Sequence, residues 1–203
     1  MKYLYHKGDL PSSLITSNIV AVDTETTGLS PVRDRLCVVQ ICFGDDTAHI
    51  IQMQAGYDCP NLKAILADSN RLKLFHFGRF DIMMLEKYLG IVCAPVYCTK
   101  IASKLVRTYT DRHGLKELAK ELANVDLNKQ QQSSDWAAEE LTDEQLKYAA
   151  SDVWYLHRIK EKLDMLLERE NRTAMAQQAF DFLPMRAHMD LAGFEDTDIF
   201  AHN

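Results

Sequence analysis

The hydrophobic pattern alternates between short runs typical of strands and longer segments with helical spacing. Apolar runs rich in β-branched residues predict buried strands, whereas apolar residues three and four positions apart predict helices. Strands are expected at Ile19 to Asp23, Leu36 to Phe43, Thr47 to Gln52 and Leu72 to His76. Helices are expected at Leu62 to Ala67, from Gly78 onward, and at Lys100 to Val106, Leu115 to Leu122, Thr142 to about Arg169 and Thr173 to Phe182. This order predicts an α/β fold.

Two acidic residues lie at the end of the first predicted strand. Asp23 and Glu25 are two positions apart, so their side chains project from the same face while Thr24 points the other way. Two neighbouring carboxylates repel each other, which raises their pKa values and costs folding free energy. The pair therefore indicates a bound cation or an acid–base role.

A tyrosine and an aspartate share one face of a predicted helix. Thr142 and Gln145 fit a capping box at its start, and Tyr148 and Asp152 lie one turn apart. Taken alone, such a pair is more often an ordinary surface pair. Asp81, which lies between the two acidic segments, falls in the first turn of another predicted helix. Stabilising the dipole of that helix is the simpler explanation for Asp81 alone.

Composition and charge narrow the classes of protein. The 203 residues, of which 47% are hydrophobic, suit a single domain over 1–203 with a sizeable core. We expect a cytoplasmic protein, because no run of about 20 apolar residues and no secretory signal is present. Five cysteines without CxxC spacing favour reduced thiols over zinc or disulfides. The net charge of −6 disfavours tracking of long nucleic acids, which requires many basic contacts to phosphates.

Three segments together resemble the motifs of a nuclease superfamily: VDTETTGL, HFGRFD and YAASD. Their order and wording resemble the DEDD 3′-to-5′ exonucleases, in the tyrosine-containing branch that includes ribonuclease D and polymerase proofreading domains. The segments RDRLCVVQI, CTKIASKL, RTYTDRHGLKEL, KQQQSSDWAAE, FLP and DIFAH extend the resemblance to the short nano-RNase C family. It implies a ribonuclease H-like exonuclease fold with a mixed central β-sheet flanked by helices.

The resemblance also implies metal-assisted hydrolysis of a phosphodiester. Asp23, Glu25, Asp81 and Asp152 would bind two divalent cations, with Asp23 shared between them. Tyr148 would orient the attacking water. Carboxylates with open water positions suit Mg²⁺ or Mn²⁺ better than zinc.

Residues after the first motif and within the second are expected to contact the last nucleotides. By resemblance, Thr26 and Gly28 would approach the terminal sugar, and Leu29 would wedge between two bases. A ring at His76 or Phe77 would stack on a base or sugar. Core packing is the alternative for Leu29, and burial after a strand is the alternative for the two rings.

Two polar segments are candidates for holding the 5′ phosphate of a short substrate. Their side chains are Arg107, Thr110, Arg112 and His113 in the first segment, and Lys129, Gln132, Ser133 and Ser134 in the second. Both segments could equally be solvated loops. A blocked 5′ end requires fixed donors, which these residues could supply. Trp136 is expected to be a packing anchor for the second segment rather than a platform for base stacking.

The expected function is a 3′-to-5′ exoribonuclease that hydrolyses dinucleotides such as pGpG, at the end of RNA and cyclic di-GMP turnover. Broader ribonuclease D-like trimming of longer RNA or DNA ends is the alternative. An inactive nucleic-acid-binding module is a third, but such a protein has no reason to keep all five motif residues. The resemblance further implies a homo-octamer, in which the segment 180–203 would contact a neighbouring subunit.

Overall fold

A computed structural model of the chain describes residues 1–14, 17–127, 131 and 133–202. Its strands are β1 (Lys2–Lys7), β2 (Ile19–Thr26), β3 (Leu36–Cys42), β4 (Thr47–Gln52), β5 (Leu72–Phe75) and β6 (Val96–Cys98). Its helices are α1 (Pro60–Ala67), α2 (Arg79–Leu89), α3 (Thr99–Val106), α4 (Leu115–Ala123), α5 (Asp143–Trp154), α6 (Leu156–Arg169) and α7 (Thr173–Leu191).

The strands form one mixed sheet in the order β1-β4-β3-β2-β5-β6. The β2–β3 and β3–β4 pairs are antiparallel, whereas the other three pairs are parallel. Every residue of β3 is buried, as expected for an apolar strand between two others. Helix α5 packs against β2, β3 and β4, and α2 packs against α7. The predicted α/β class and mixed central sheet are confirmed.

Two strands were missing from the sequence-based prediction. Strand β1 lies at one edge of the sheet, and its sequence KYLYHK mixes polar and aromatic residues with only one aliphatic side chain. Strand β6 has three residues, which is too short for a periodic signal. Strand β2 also continues past Asp23 to Thr26, so it is three residues longer than predicted and contains Glu25.

Two helix predictions need correction. The single helix expected at Thr142 to Arg169 is two helices, α5 and α6, which meet at Tyr155. The break lets α5 pack on the sheet while α6 packs on α3 and α4. Helix α7 runs past Phe182 to Leu191 and contains Pro184, because Leu183 and other apolar residues of its second half are buried.

The described part of the chain contains no helix that is both long and apolar enough to cross a lipid bilayer. All five cysteines are buried, and none of them forms a disulfide.

Candidate active site

Three carboxylates converge beside the central strand. One carboxylate oxygen each from Asp23, Glu25 and Asp152 lies within 4.8 Å of the others. Strand β2 supplies the first two on one face, as their spacing predicted, and α5 supplies the third from the layer packed on that face. The sheet and helix packing therefore bring together acids that are more than 120 positions apart in the sequence.

Asp81 reaches the site through Thr24. The Thr24 hydroxyl donates a hydrogen bond to Asp81 Oδ1 at 2.6 Å, and the Asp81 residue is 6% exposed. Asp81 lies in the first turn of α2, as predicted, where the helix dipole favours a negative charge. Although Asp81 is outside the group of three, its charge acts on Asp23 and Glu25.

Burial and mutual repulsion raise the pKa values of these acids. Burial is the largest cause for Asp23, whose pKa lies well above its usual range, followed by the charges of Asp81, Asp152 and Glu25. Burial, then Asp152 and Asp81, raises the pKa of Glu25 to about 9. Burial raises the pKa of Asp81 to about 6, against the opposing effect of the Thr24 hydrogen bond. Such a cluster is stabilised by a divalent cation that neutralises it.

The donor set fits a hard cation. The group of three consists entirely of carboxylates, and Asp81 adds a fourth. Oxygen ligands of this kind suit Mg²⁺ or Mn²⁺, whereas zinc prefers histidine and cysteine. The charges of Asp81, Asp152 and Glu25 all raise the pKa of Asp23.

Tyr148 stands one helical turn before Asp152 on α5. The capping box that begins this helix is present. Thr142 Oγ1 accepts from the backbone N–H of Gln145, and Gln145 Oε1 accepts from the backbone N–H of Thr142. Burial, followed by the charges of Asp152 and the β2 acids, raises the pKa of the Tyr148 phenol above its usual value near 10.0. The phenol therefore remains protonated and can donate a hydrogen bond.

An open cleft of about 990 Å³ surrounds this cluster. All five motif residues line it. So do seven of the predicted substrate contacts: Thr26, Gly28, Leu29, His76, Phe77, Ser133 and Ser134. Leu29 is 82% exposed and Phe77 is 53% exposed. Core packing, the alternative for Leu29, and burial, the alternative for Phe77, are therefore wrong.

The loop after β2 is held in a fixed shape. Thr26 Oγ1 donates to the carbonyl of Gly28 at 2.6 Å. A Cβ at position 28 would lie 2.5 Å from Asp34 Oδ2, so a side chain there would require Asp34 to shift. Asp34 in turn accepts from the Ser30 amide at 2.8 Å. These contacts present Leu29 to the cleft.

Phe77 adopts an unusual backbone conformation between β5 and α2. Its φ of 60° lies in the left-handed region, which non-glycine residues rarely occupy outside functional or strained sites. Lys100 Nζ lies 3.7 Å from the centre of its ring. His76 Nδ1 lies 2.9 Å from Thr99 Oγ1, so the imidazole is oriented by the start of α3.

The four side chains predicted from the first candidate segment are not among the described residues that line the cleft, although Lys116 at the end of that segment is. Arg107 is 1% exposed and donates to Ser103 Oγ at 3.1 Å and to the Arg112 carbonyl at 2.7 Å, and it pairs with Glu121. Arg107, Thr110, Arg112 and His113 are all absent from the described lining. Arg107, which was expected to donate to a phosphate, instead connects α3 to α4 in the interior of the protein. In the second segment, Lys129 and Gln132 lie outside the described residues.

Several residues of the cleft were not predicted from the sequence. Lys100, Lys116 and Arg79 bring positive charge to its lining, and Trp136 packs its ring 6.1 Å from that of Tyr148. The tryptophan is 2% exposed, as expected of a packing anchor. The basic residues carried no sequence signal, because isolated lysines and arginines are common on helix surfaces.

Gln40 is a further missed residue. It lies directly opposite Asp23 in the antiparallel β2–β3 register, and its side chain is fully buried. Neither atom of its amide has a hydrogen-bond partner among the described residues. Leaving such a group unpaired costs about 1–3 kcal/mol. Gln40 is not among the described residues that line the cleft, so its amide is a buried polar group on the strand beside Asp23.

Comparisons with known proteins agree with this geometry. A family model for 3′-5′ exonucleases matches residues 8–168. Ribonuclease D of Acidiphilium cryptum strain JF-5 is 35% identical over 159 residues, which cover 78% of this chain and 40% of that protein. The chain therefore spans less than half the length of this relative.

Two solved structures of Brucella melitensis NrnC are similar to the whole chain. The structure bound to pGG has a TM-score of 0.96 and 55% sequence identity, with 100% of each chain covered. The structure with bound Mg²⁺ has a TM-score of 0.94 and 54% identity, also with 100% of each chain covered. The expected resemblance to nano-RNase C is confirmed. On its sequence, fold and carboxylate-lined cleft, the chain belongs to the 3′-to-5′ exonuclease family.

Proposed function

We propose that this protein is a metal-dependent 3′-to-5′ exoribonuclease that hydrolyses dinucleotides to mononucleotides. The convergence of Asp23, Glu25 and Asp152 in one cleft, with Tyr148 and Asp81 beside them, is the observation that carries the proposal. The similarity to NrnC in complex with pGG supports a dinucleotide as the substrate. Linear pGpG, the product of cyclic di-GMP breakdown, belongs to the same chemical class.

The four acids would hold two divalent cations, Mg²⁺ or Mn²⁺. By the family resemblance, Asp23 would be shared between the two ions. When bound, such ions activate a water molecule and stabilise the leaving oxygen. The carboxylates themselves offset the cationic charge and fix its position relative to β2 and α5.

Tyr148 orients the attacking water. Because its pKa is raised above the ordinary value, the phenol is a poor general base and an effective hydrogen-bond donor. Its position one turn from Asp152 directs the hydroxyl toward the same region as the carboxylates. Orientation of the water, rather than removal of its proton, is the contribution of this side chain.

Exposed apolar side chains on two sides of the cleft hold the terminal nucleotides. Leu29 inserts between the bases, and Phe77 stacks on a base or sugar. Thr26, Gly28 and His76 bound the space near the terminal sugar. Ser133 and Ser134 are the predicted donors to the 5′ phosphate that line the cleft. The homo-octamer implied by the family resemblance remains a prediction, which light scattering on the purified protein tests.

Ribonuclease D-like trimming of longer RNA or DNA ends is the alternative, because ribonuclease D relatives match most of the chain. Initial rates on 5′-labelled RNAs of two to seven nucleotides distinguish dinucleotide hydrolysis from trimming of longer ends. A steep fall beyond two nucleotides supports the dinucleotide substrate, and a flat profile supports the alternative.

Asp23→Ala provides the control for both functions. It should lower turnover about a thousandfold, since the metal contributes several kcal/mol of transition-state stabilisation. Circular dichroism should show that the variant is folded. Near-normal Mg²⁺-dependent hydrolysis by this variant would contradict the metal assignment.

A further inference from the structure

The chain after α7 turns back and forms part of the cleft wall. Helix α7 ends at Leu191, and Gly193, with a φ of 89°, allows the backbone to reverse. Glu195 and Asp196 then line the cleft that holds the carboxylate cluster. Residues 192–196 are called the return segment below.

Two arginines anchor the return segment through the last turn of α7. Arg79 donates to both carboxylate oxygens of Asp190, from Nε at 2.6 Å and from Nη2 at 2.8 Å. Arg186 Nη1 lies 3.0 Å from Asp190 Oδ1. The Asp190 side chain is 6% exposed, so solvent screens these contacts weakly. The end of α7 is therefore fixed against the start of α2.

The same arginines donate to the backbone around the segment. Arg79 Nη2 bonds to the Glu195 carbonyl at 2.9 Å, and Arg186 Nη2 bonds to the same oxygen at 2.8 Å. Arg186 Nη1 also bonds to the Phe194 carbonyl at 3.1 Å. Arg79 is the first residue of α2, two positions before Asp81. The return segment is thus tied to the helix that carries a candidate metal ligand.

The cleft has more acidic than basic groups among its described residues. Its acids are Asp23, Glu25, Asp81, Asp152, Asp190, Glu195 and Asp196, and its bases are Arg79, Lys100 and Lys116. Metal ions would offset the first four acids, and Asp190 is paired. Glu195 and Asp196 lie close enough to Arg79 for their charges to raise its pKa, after the larger effects of its contacts with Asp190. Two acids of the return segment therefore remain near the path of a substrate.

We propose that the return segment determines the length of the substrate. Its anchored backbone holds Glu195 and Asp196 where they repel the additional phosphates of a longer RNA. Each added nucleotide brings one more negative charge, and among the described lining residues Lys100 and Lys116 are the lysines that could neutralise it. This inference rests on the proposed dinucleotide hydrolysis and accounts for its length limit.

Neutralising Glu195 and Asp196 tests whether their negative charge excludes longer RNAs. For the double variant Glu195→Gln/Asp196→Asn, kcat/KM should be measured on 5′-labelled RNAs of two to seven nucleotides. The ratio of the seven-nucleotide to the two-nucleotide value should rise about tenfold over the wild type at low salt. The gain should shrink at high salt, where counterions screen the carboxylates. Asp58→Asn/Glu168→Gln, which removes two exposed acids outside the described cleft lining, should leave the ratio unchanged.

Removing the contacts of Arg186 tests whether the position of the return segment determines the length preference. Arg186→Gln removes the contacts of Arg186 with Asp190 and with two carbonyls, and Arg186 itself does not line the cleft. The length ratio should rise in this variant too. Arg186→Lys retains the charge and should restore part of the wild-type preference, which a purely destabilising effect would not do.

The outcomes separate this inference from the function on which it rests. A flat wild-type length profile overturns both. A steep wild-type profile that persists after neutralisation overturns the role of the return segment alone. An equal loss of activity on RNAs of all lengths in Glu195→Gln/Asp196→Asn also overturns it, because the acids would then assist the reaction rather than exclude phosphates.

Discussion

The hydroxyl of Thr24 donates a hydrogen bond to Asp81 Oδ1 and thereby connects strand β2 to helix α2. Thr24 lies between Asp23 and Glu25 but points to the opposite face of the strand. One strand thus presents two acids on one face and positions a third acid from the other. The bond also opposes the rise in the pKa of Asp81.

Thr24→Val should therefore shift the acidic limb of the pH–rate profile to higher pH. Without the hydroxyl, Asp81 loses a hydrogen bond that favours its charged form, so its pKa rises further above about 6. The free energy of unfolding should fall by about 1–2 kcal/mol, because a buried acceptor is left unpaired. Thr24→Ser is the control and should resemble the wild type. An unshifted profile in Thr24→Val would contradict the coupling.

The stability of the metal-free protein should fall as the pH rises. The folded protein keeps a proton on Glu25 up to a pKa of about 9, whereas the unfolded chain releases it near 4.5. Stability gained at low pH is therefore lost progressively as the pH rises between these values. Urea denaturation at several pH values measures this slope. Asp23→Asn/Glu25→Gln should reduce it, and saturating Mg²⁺ should reverse it, because the ion binds the deprotonated acids.

Tyr148→Phe should lower kcat by about a hundredfold while leaving Mg²⁺ affinity within a few-fold of the wild type. In the proposed mechanism the phenol orients water, and its raised pKa keeps it protonated in the working range. The remaining activity should keep the wild-type pH dependence. Loss of a basic limb in the variant would instead indicate that the tyrosine acts as a base. Isothermal titration with Mg²⁺ and single-turnover rates provide the measurements.

Phe77→Ala should raise KM for a dinucleotide about tenfold, as expected for the loss of one stacked base. Leu29→Ala should act in the same direction. Both side chains are exposed, so neither substitution should change the thermal unfolding temperature by more than a degree or two. Val92→Ala is a matched control, because Val92 is 72% exposed and is not part of the described cleft lining. An unchanged KM in both cleft variants would exclude stacking at these positions.

Arg107→Ala should destabilise the fold without changing KM. The guanidinium is fully buried and ties α3 to α4 through Ser103 and Glu121, so its loss should cost about 3 kcal/mol. Denaturant unfolding and dinucleotide kinetics on the same preparation separate the two effects. A large rise in KM with normal stability would restore Arg107 as a phosphate contact.

The carboxylate motifs could be recognised from the sequence because they depend on local geometry. The two-residue spacing of Asp23 and Glu25 determines a shared strand face, and the four-residue spacing of Tyr148 and Asp152 determines a shared helix face. The capping box at Thr142 likewise involves only neighbouring residues. Long apolar strands such as β3 were also predictable, since their residues are buried on both faces.

Other features could be found only in the tertiary structure, because they depend on contacts between segments that are distant in the sequence. The edge strand β1 and the short strand β6 exist because neighbouring strands pair with them, and neither has a periodic pattern of its own. Arg107 connects two helices inside the protein because Glu121, on helix α4, lies within ion-pair distance of it.

The sequence by itself therefore determined the family, the α/β fold and the acids of the candidate cluster, because spacing along a strand or helix controls which side chains share a face. Only the folded chain decided which polar groups reach the cleft. Arg79, for example, meets Asp190 across 111 positions and brings Glu195 and Asp196 to its wall. The reason is physical. Hydrogen bonds, ion pairs and burial between distant segments depend on how helices and strands pack together, and the local periodicity of the sequence does not predict that packing.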